Sequence, residues 1–275
     1  MDKRDTERIL DEQSLEHHGV LARRHAIRDG IPHDQLDHRI ESGDLEVVHR
    51  GVLRRRGTPT SYRQRVEAAR LSVGDEAVAG RRTAGSLHEL VPSWEIEILT
   101  TRSRRARPQG CKVIRTNFLP DDHVVTVHGI PVTSVPRTIL DLAGVMPSPQ
   151  ALRVVKDAIR LNKTSPSVLA EVFKDSCRPG RPGSAVARSL LPSLDDEGAI
   201  TESDLEDSML ETIRKAGFPT PIRQLRVFDG DLFIARLDGA YTDPLIALEA
   251  DGYEWHSARP EWIKDRRRSN CLVAM

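Results

Sequence analysis

Three acids lying close in sequence, Asp238, Glu249 and Asp251, are the residues of this chain best placed to do chemistry. They fall in the stretch from Leu225 to His256, where Asp229-Gly230 separates two short apolar runs, the signal of a tight hairpin. The second run, Leu232 to Asp238, ends in a carboxylate. Tyr241-Thr242-Asp243-Pro244 makes a further turn, and Leu245 to Leu248 then delivers Glu249-Ala250-Asp251-Gly252. Strand side chains alternate, so Glu249 and Asp251 leave by the same face, and the three acids are expected to converge at the rim of one small sheet. Anions about 7 Å apart on one face repel by about 2 kcal/mol at an effective dielectric of about 20. A divalent cation with oxygen ligands, Mg²⁺ or Mn²⁺, would offset that repulsion. A raised pKa or pairing with Arg266-Arg267-Arg268 would do the same, and a strand that simply ends in solvated acids is the plain alternative.

Helices are expected on either side of this sheet. Thr201 caps a helix to Ala216, with Leu205, Met209 and Ile213 as its buried stripe and Gly217 and Pro219 as its stop. Glu202 and Glu206 flank the stripe and read best as a solvated pair. A further helix is expected from Pro260 to Val273, carrying Asp265 to Arg268.

A second set of residues points to phosphate rather than to metal. The spacing predicts helices over 4–18, from about Ala22 to Arg28, and from His33 or Asp34 to Ser42, with Asp29-Gly30 ending the second. Leu45 to Val48 and Val52 to Arg56 then form a short ribbon with a basic tip. Helix, turn, helix and ribbon make a winged helix-turn-helix. Its third helix would show His33, Gln35, His38 and Arg39 to DNA, and Arg50, Arg54, Arg55 and Arg56 of the ribbon would touch phosphates. The same helix carries Asp34, Asp37 and Glu41, so a protein-binding three-helix module is the alternative. His17-His18 lacks further ligands nearby and reads as solvated.

The middle of the chain reads as mixed α/β. Helices are expected over Tyr62 to Ser72, at Arg81 to His88 within Glu76 to Leu90, and over 135–143, 149–160 and 165–173, and strands over Glu95 to Leu99 and around 113, 125 and 131. Arg102, Arg104, Arg105 and Arg107 form a basic loop, a phosphate contact or merely a solvated one. Arg178-Pro179-Gly180-Arg181-Pro182-Gly183 reads as a flexible, turn-rich junction.

Formal charge sums to zero over 275 residues, but unevenly. Residues 50–115 hold 15 Lys/Arg against 6 Asp/Glu, while residues 195–275 hold 10 against 17. A basic middle beside an acidic end fits a nucleic-acid platform coupled to a cation site, and equally two unrelated solvated surfaces. No run is long and apolar enough for a membrane span, and MDKRDTERIL is too charged for a signal peptide, which makes the cytoplasm the expected compartment. Cys111, Cys177 and Cys271 lie too far apart for a disulfide framework or a zinc site to be indicated.

Two resemblances rest on these residues. GVLARRHAIRDGIPHDQLDHRIESGDLEVVHRGV, RRTAGSLHEL and GIPVTSVPRTILDLA, spanning about residues 5–145, resemble AbiEi-family antitoxins of type IV toxin–antitoxin systems, which begin with a winged-helix DNA-binding domain. RLDGAY, ALEADGYEWH and KDRRRSN, within 200–275, resemble the Vsr-like branch of the PD-(D/E)xK endonucleases. The second resemblance implies Asp238, Glu249 and Asp251 as metal ligands, His256 as acid or base, and Arg266 or Arg268 steadying the phosphate. Asp251 stands where the superfamily usually has lysine, and the chain stops at Met275, before the Gly-Trp strand with which that group continues.

The expectation is therefore an α+β multidomain chain. Residues 1–57 would form the winged helix-turn-helix, 58–177 an AbiEi-like α/β domain and 178–199 a linker. Residues 200–275 would form a restriction-endonuclease-like α-β-β-β-α core lacking its last strand. The leading function is a DNA-binding protein with an Mg²⁺-dependent nuclease-like end. The alternative is a non-catalytic antitoxin or regulator, with duplex DNA and a cognate toxin or its operator as partners.

Overall fold

A computed structural model describes residues 2–101, 106–190 and 202–249. The chain divides into two compact units, Met1–Leu191 with Gly230–Leu232, and Pro192–Asp229 with Phe233–Met275. Among the described residues no helix is long and apolar enough to cross a membrane.

The first unit opens with α1 (Lys3–Glu16), β1 (Val20–Ala22), α2 (Arg23–Arg28), α3 (His33–Glu41), β2 (Leu45–His49) and β3 (Val52–Arg55). The three strands form an antiparallel sheet in the order β1-β3-β2. Strand β1 is absent from the sequence reading, because three apolar residues are too few to show a period. It forms because its side chains bury in both directions. Leu21 and Leu53 face the helices, where Ile9, Leu10, Ala26, Ile31 and Leu36 meet them. Val20, Ala22 and Val52 face the other way, onto Ala68 and Leu71 of α4 (Tyr62–Val73). The small sheet is thus covered on both sides, and packing continues unbroken past residue 57.

Helix α4 is started by Ser61, whose hydroxyl accepts from the Gln64 amide. Its core carries a buried ion pair: Arg70 donates to both Glu67 oxygens at 2.7 and 2.6 Å. His17, expected to be solvated, instead sets its Nδ1 2.8 Å from the same carboxylate and is largely buried.

Beyond α4 come β4 (Val78–Ala79), α5 (Arg81–Leu87), β5 (Ile96–Thr100), β6 (Cys111–Arg115), β7 (Val124–Val127) and β8 (Ile130–Thr133). They build a mixed sheet in the order β6-β5-β4-β8-β7. The helix expected at Arg81 to His88 is α5; strand β4 and a turn at Gly80, which the sequence reading lacks, precede it. The Gly80 amide donates to the Glu97 carbonyl, and a Cβ there would lie 2.0 Å from Leu99 Cδ1, so any larger residue at this turn must displace the Leu99 side chain. Four helices follow: α6 (Val135–Ala143), α7 (Ser148–Arg160), α8 (Pro166–Ser176) and α9 (Ser184–Leu190). Helix α6 is almost wholly buried and packs on α5, α7, α8 and α9. The turn at Arg178–Gly183 is present as read, but it is fastened rather than free. Arg181 sits 3.5 Å from the partly buried Asp141 of α6, and Gly183 presses on the α6 backbone.

The second unit contains α10 (Glu202–Lys215), β9 (Ile222–Asp229), β10 (Leu232–Thr242) and β11 (Leu245–Leu248), with the strands ordered β11-β10-β9. Phe233, Ile234, Ala235, Leu237 and Ala240 are buried, and Phe228 meets Phe233 edge-on. Glu206, read as half of a solvated pair, is buried and accepts from Gln224 of β9 at 2.9 Å. Asp238 lies within β10, not at its end as expected. Asp238-Gly239 resembles a turn dipeptide, yet the strand runs on through buried Gly239 and Ala240 to Thr242.

Candidate nucleic-acid interface

The cationic residues of the N-terminal module divide into those neutralised inside the fold and those left to solvent. Glu7 of α1 accepts from Arg39 of α3 at 2.6 Å and from Arg55 of β3 at 2.7 Å, and Asp11 also reaches Arg55. Hydrogen bonds from Arg55 and then Arg39 hold the Glu7 carboxyl below the usual range. Arg54 is claimed by Glu46 across the ribbon and by Thr60 and Gln64. Gln35 accepts from the Thr6 hydroxyl. Of the four α3 residues expected to face DNA, only His33 and His38 are exposed, and they share that face with Asp34, Asp37 and Glu41. Of the four ribbon arginines, only Arg50 and Arg56 are exposed.

Arg50 lies on the rim of a groove of about 1120 Å³, lined by side chains far apart in sequence. Arg23 and Arg24 come from the start of α2, His33 from the start of α3, and Val47, Val48, His49 and Arg50 from the ribbon. Ser72 comes from the end of α4, and Arg107 to Gln109 from the loop before β6. Four arginines and two histidines line it, and no aspartate or glutamate does. Burial pushes His49 below the ordinary histidine range, so at neutral pH it is an uncharged hydrogen-bonding group.

The walls are stiff for identifiable reasons. The ribbon turns at Arg50-Gly51, with Gly51 at φ +76°, and the Gly51 carbonyl accepts from the Arg23 amide at 2.9 Å. Arg23 pairs with Asp37, 2.6 Å away. Arg24 donates to Asp75 and to the Leu71 carbonyl, and His25 Nε2 meets Asp75 at 2.7 Å. Those contacts tie α2 to the end of α4. Hydrogen bonds from Arg24 dominate over burial and hold the Asp75 carboxyl well below the usual range. Arg50 and Arg107 make no ion pair among the described residues and are exposed, one from the ribbon tip and one from the loop before β6. Arg102, Arg104 and Arg105 lie outside the described residues.

The acidic set is placed only in part. Gly239 pairs with Leu248, so continuing the β10–β11 register by one residue sets Asp238 opposite Glu249. Asp251, His256, Arg266 and Arg268 lie outside the described residues. Among the described residues no group of three or more His, Cys, Asp or Glu could hold a metal ion.

Comparison with known proteins bears on both units. Residues 76–193 match the family described as AbiEi antitoxin C-terminal domain. The chain is also 26% identical over 235 residues to proteins from two strains of Mycobacterium tuberculosis, CDC 1551 and H37Rv. Those alignments cover 85% of this chain and 83% of each relative, and both relatives are described only as uncharacterized.

Proposed function

We propose that this protein is a non-catalytic DNA-binding regulator of the antitoxin kind, acting with a cognate toxin. The observation that carries this reading is the AbiEi antitoxin match over residues 76–193, in the same compact unit as the N-terminal module. That module has the element order of a winged helix: helix, strand, two helices and a two-stranded ribbon. Its free cations, Arg50 and Arg56, suit phosphate contacts that position a duplex without reading it.

The reading predicts binding of duplex DNA by the intact chain, weakening about ten- to a hundredfold between roughly 50 and 200 mM salt. Reversing Arg50 and Arg56 to glutamate should abolish it, while the same change at Arg54 or Arg55 would also break the ion pairs with Glu46 and Glu7. Fluorescence anisotropy on a labelled duplex measures both effects. Binding that ignores salt would refute the reading.

A second reading, a metal-dependent nuclease centre in the second unit, draws on the β10–β11 register that brings Asp238 toward Glu249. In it Asp238, Glu249 and Asp251 would hold Mg²⁺ or Mn²⁺, with His256, Arg266 and Arg268 as the remaining candidates. It predicts nicking of supercoiled DNA that needs one of those metals and disappears in Asp238→Asn. If the wild-type chain leaves the DNA intact with either metal, this second reading is lost and the first is untouched.

A further inference from the structure

We propose that the groove between the ribbon tip and the loop before β6 is the seat of the duplex, so that the antitoxin-like part of the chain grips DNA together with the N-terminal module. The inference rests on the regulator reading and names the surface that serves it.

Charge is the first ground. B-form DNA carries one negative charge about every 1.7 Å of axis, so a surface that holds it must be free of acids over several phosphates. The exposed face of α3 fails that condition, since His33 and His38 sit among Asp34, Asp37 and Glu41. The groove lining brings four arginines and two histidines with no carboxylate of its own, and the acids beside it, Asp37 and Asp75, are each taken up by a wall arginine, Arg23 and Arg24.

Division of labour inside the groove is the second ground. Arg23 and Arg24 are neutralised by Asp37 and Asp75 and serve as wall. Arg50 and Arg107 remain as phosphate ligands, and each projects from a different element. Guanidinium groups in such positions donate charge-assisted, bidentate hydrogen bonds to phosphate oxygens. Val47, which also lines the groove, is 57% exposed and offers an apolar contact suited to sugar carbons.

Rigidity is the third ground. The bond from the Arg23 amide to the Gly51 carbonyl fixes the ribbon tip, and the Arg24–Asp75–His25 contacts fix the opposite wall. The ribbon tip and the α2 wall are therefore set before DNA arrives, and little ordering cost opposes binding on that side.

The test is anisotropy titration of the full chain against a mixed-sequence DNA duplex at several salt concentrations. Arg50→Ala and Arg107→Ala should each weaken binding about fivefold, and each should lower the slope of log K against log salt by about one. Arg107→Lys should restore the slope, because it keeps the charge. Arg8→Ala removes an exposed cation of α1, paired with Glu12 and outside the groove, and should change neither quantity. If Arg50→Ala has its effect and Arg107→Ala has none, the shared groove is refuted while the regulator reading stands. If the wild-type chain binds no duplex, the regulator reading itself falls. Tighter binding of an RNA duplex than of DNA would overturn the choice of partner.

Discussion

Replacing Glu67 by alanine is expected to lower the stability of the first unit by about 3–5 kcal/mol. Glu67 is 1% exposed, and its carboxylate is the one acid reached by both Arg70 and His17. Removing it leaves the Arg70 guanidinium buried without its counter-charge, which costs far more than the pair contributes over an apolar replacement. Glu67→Gln should cost less, since the amide oxygen still accepts one hydrogen bond.

The pH dependence follows with a definite sign. Burial works against ionisation of Glu67, but hydrogen bonds from Arg70 and then His17 prevail and bring its pKa down to about 2 from 4.5. A folded-state pKa below the unfolded one means stability that is fully present above about pH 4.5 and is lost as pH falls through about 2. The drop corresponds to about 3 kcal/mol. Urea unfolding from pH 7 down to pH 2 measures it: the wild-type curve should fall steeply in acid, and the Glu67→Ala curve should be flatter. Parallel curves would show that Glu67 is not the group responsible. The substitution also bears on binding, because the same helix α4 supplies Ser72 to the groove and Leu71 to the Arg24 contact.

Gly183→Ala should lower the melting temperature by about 5–15 °C, and Gly180→Ala by only a few degrees. The two glycines sit in one turn with nearly the same backbone, φ +85° and φ +78°. A side chain at either meets the left-handed penalty of about 1–2 kcal/mol. Their surroundings differ. At Gly180 a Cβ would touch nothing within 4 Å, whereas at Gly183 it would lie 2.4 Å from the Leu140 carbonyl oxygen and 2.9 Å from the Gly144 amide. Those are backbone atoms of α6 and cannot rotate aside, so the helix or the turn must shift. Thermal unfolding followed by circular dichroism separates the cases. Equal losses for the two variants would mean that this turn does not press on α6.

Much of the local structure was legible in the sequence. The helices read from His33 or Asp34 to Ser42, from Tyr62 to Ser72 and over 135–143 are elements that the structure contains. Capping and periodicity act over a few residues, which is why reading along the chain finds them. The failures were also local in origin. Strand β4 goes unread because two residues show no period and their partners, Ile98 and Leu99, lie far along the chain. The run from Leu232 reads as ending at Asp238 because the pairing that carries the strand on to Thr242 comes from β11.

Sequence by itself determined which residue types were available: a basic middle, a ribbon with arginines, acids near the end, and the motifs that match an antitoxin domain. Only the tertiary structure decided which cations remained free. Glu7 reaches Arg39 and Arg55 across 32 and 48 residues, and Arg24 reaches Asp75 across 51. Arg50 and Arg107, 57 positions apart, come to rim the same groove. The reason is that an electrostatic interaction depends on distance in space and on exclusion of water, and both are set by packing once the chain has folded.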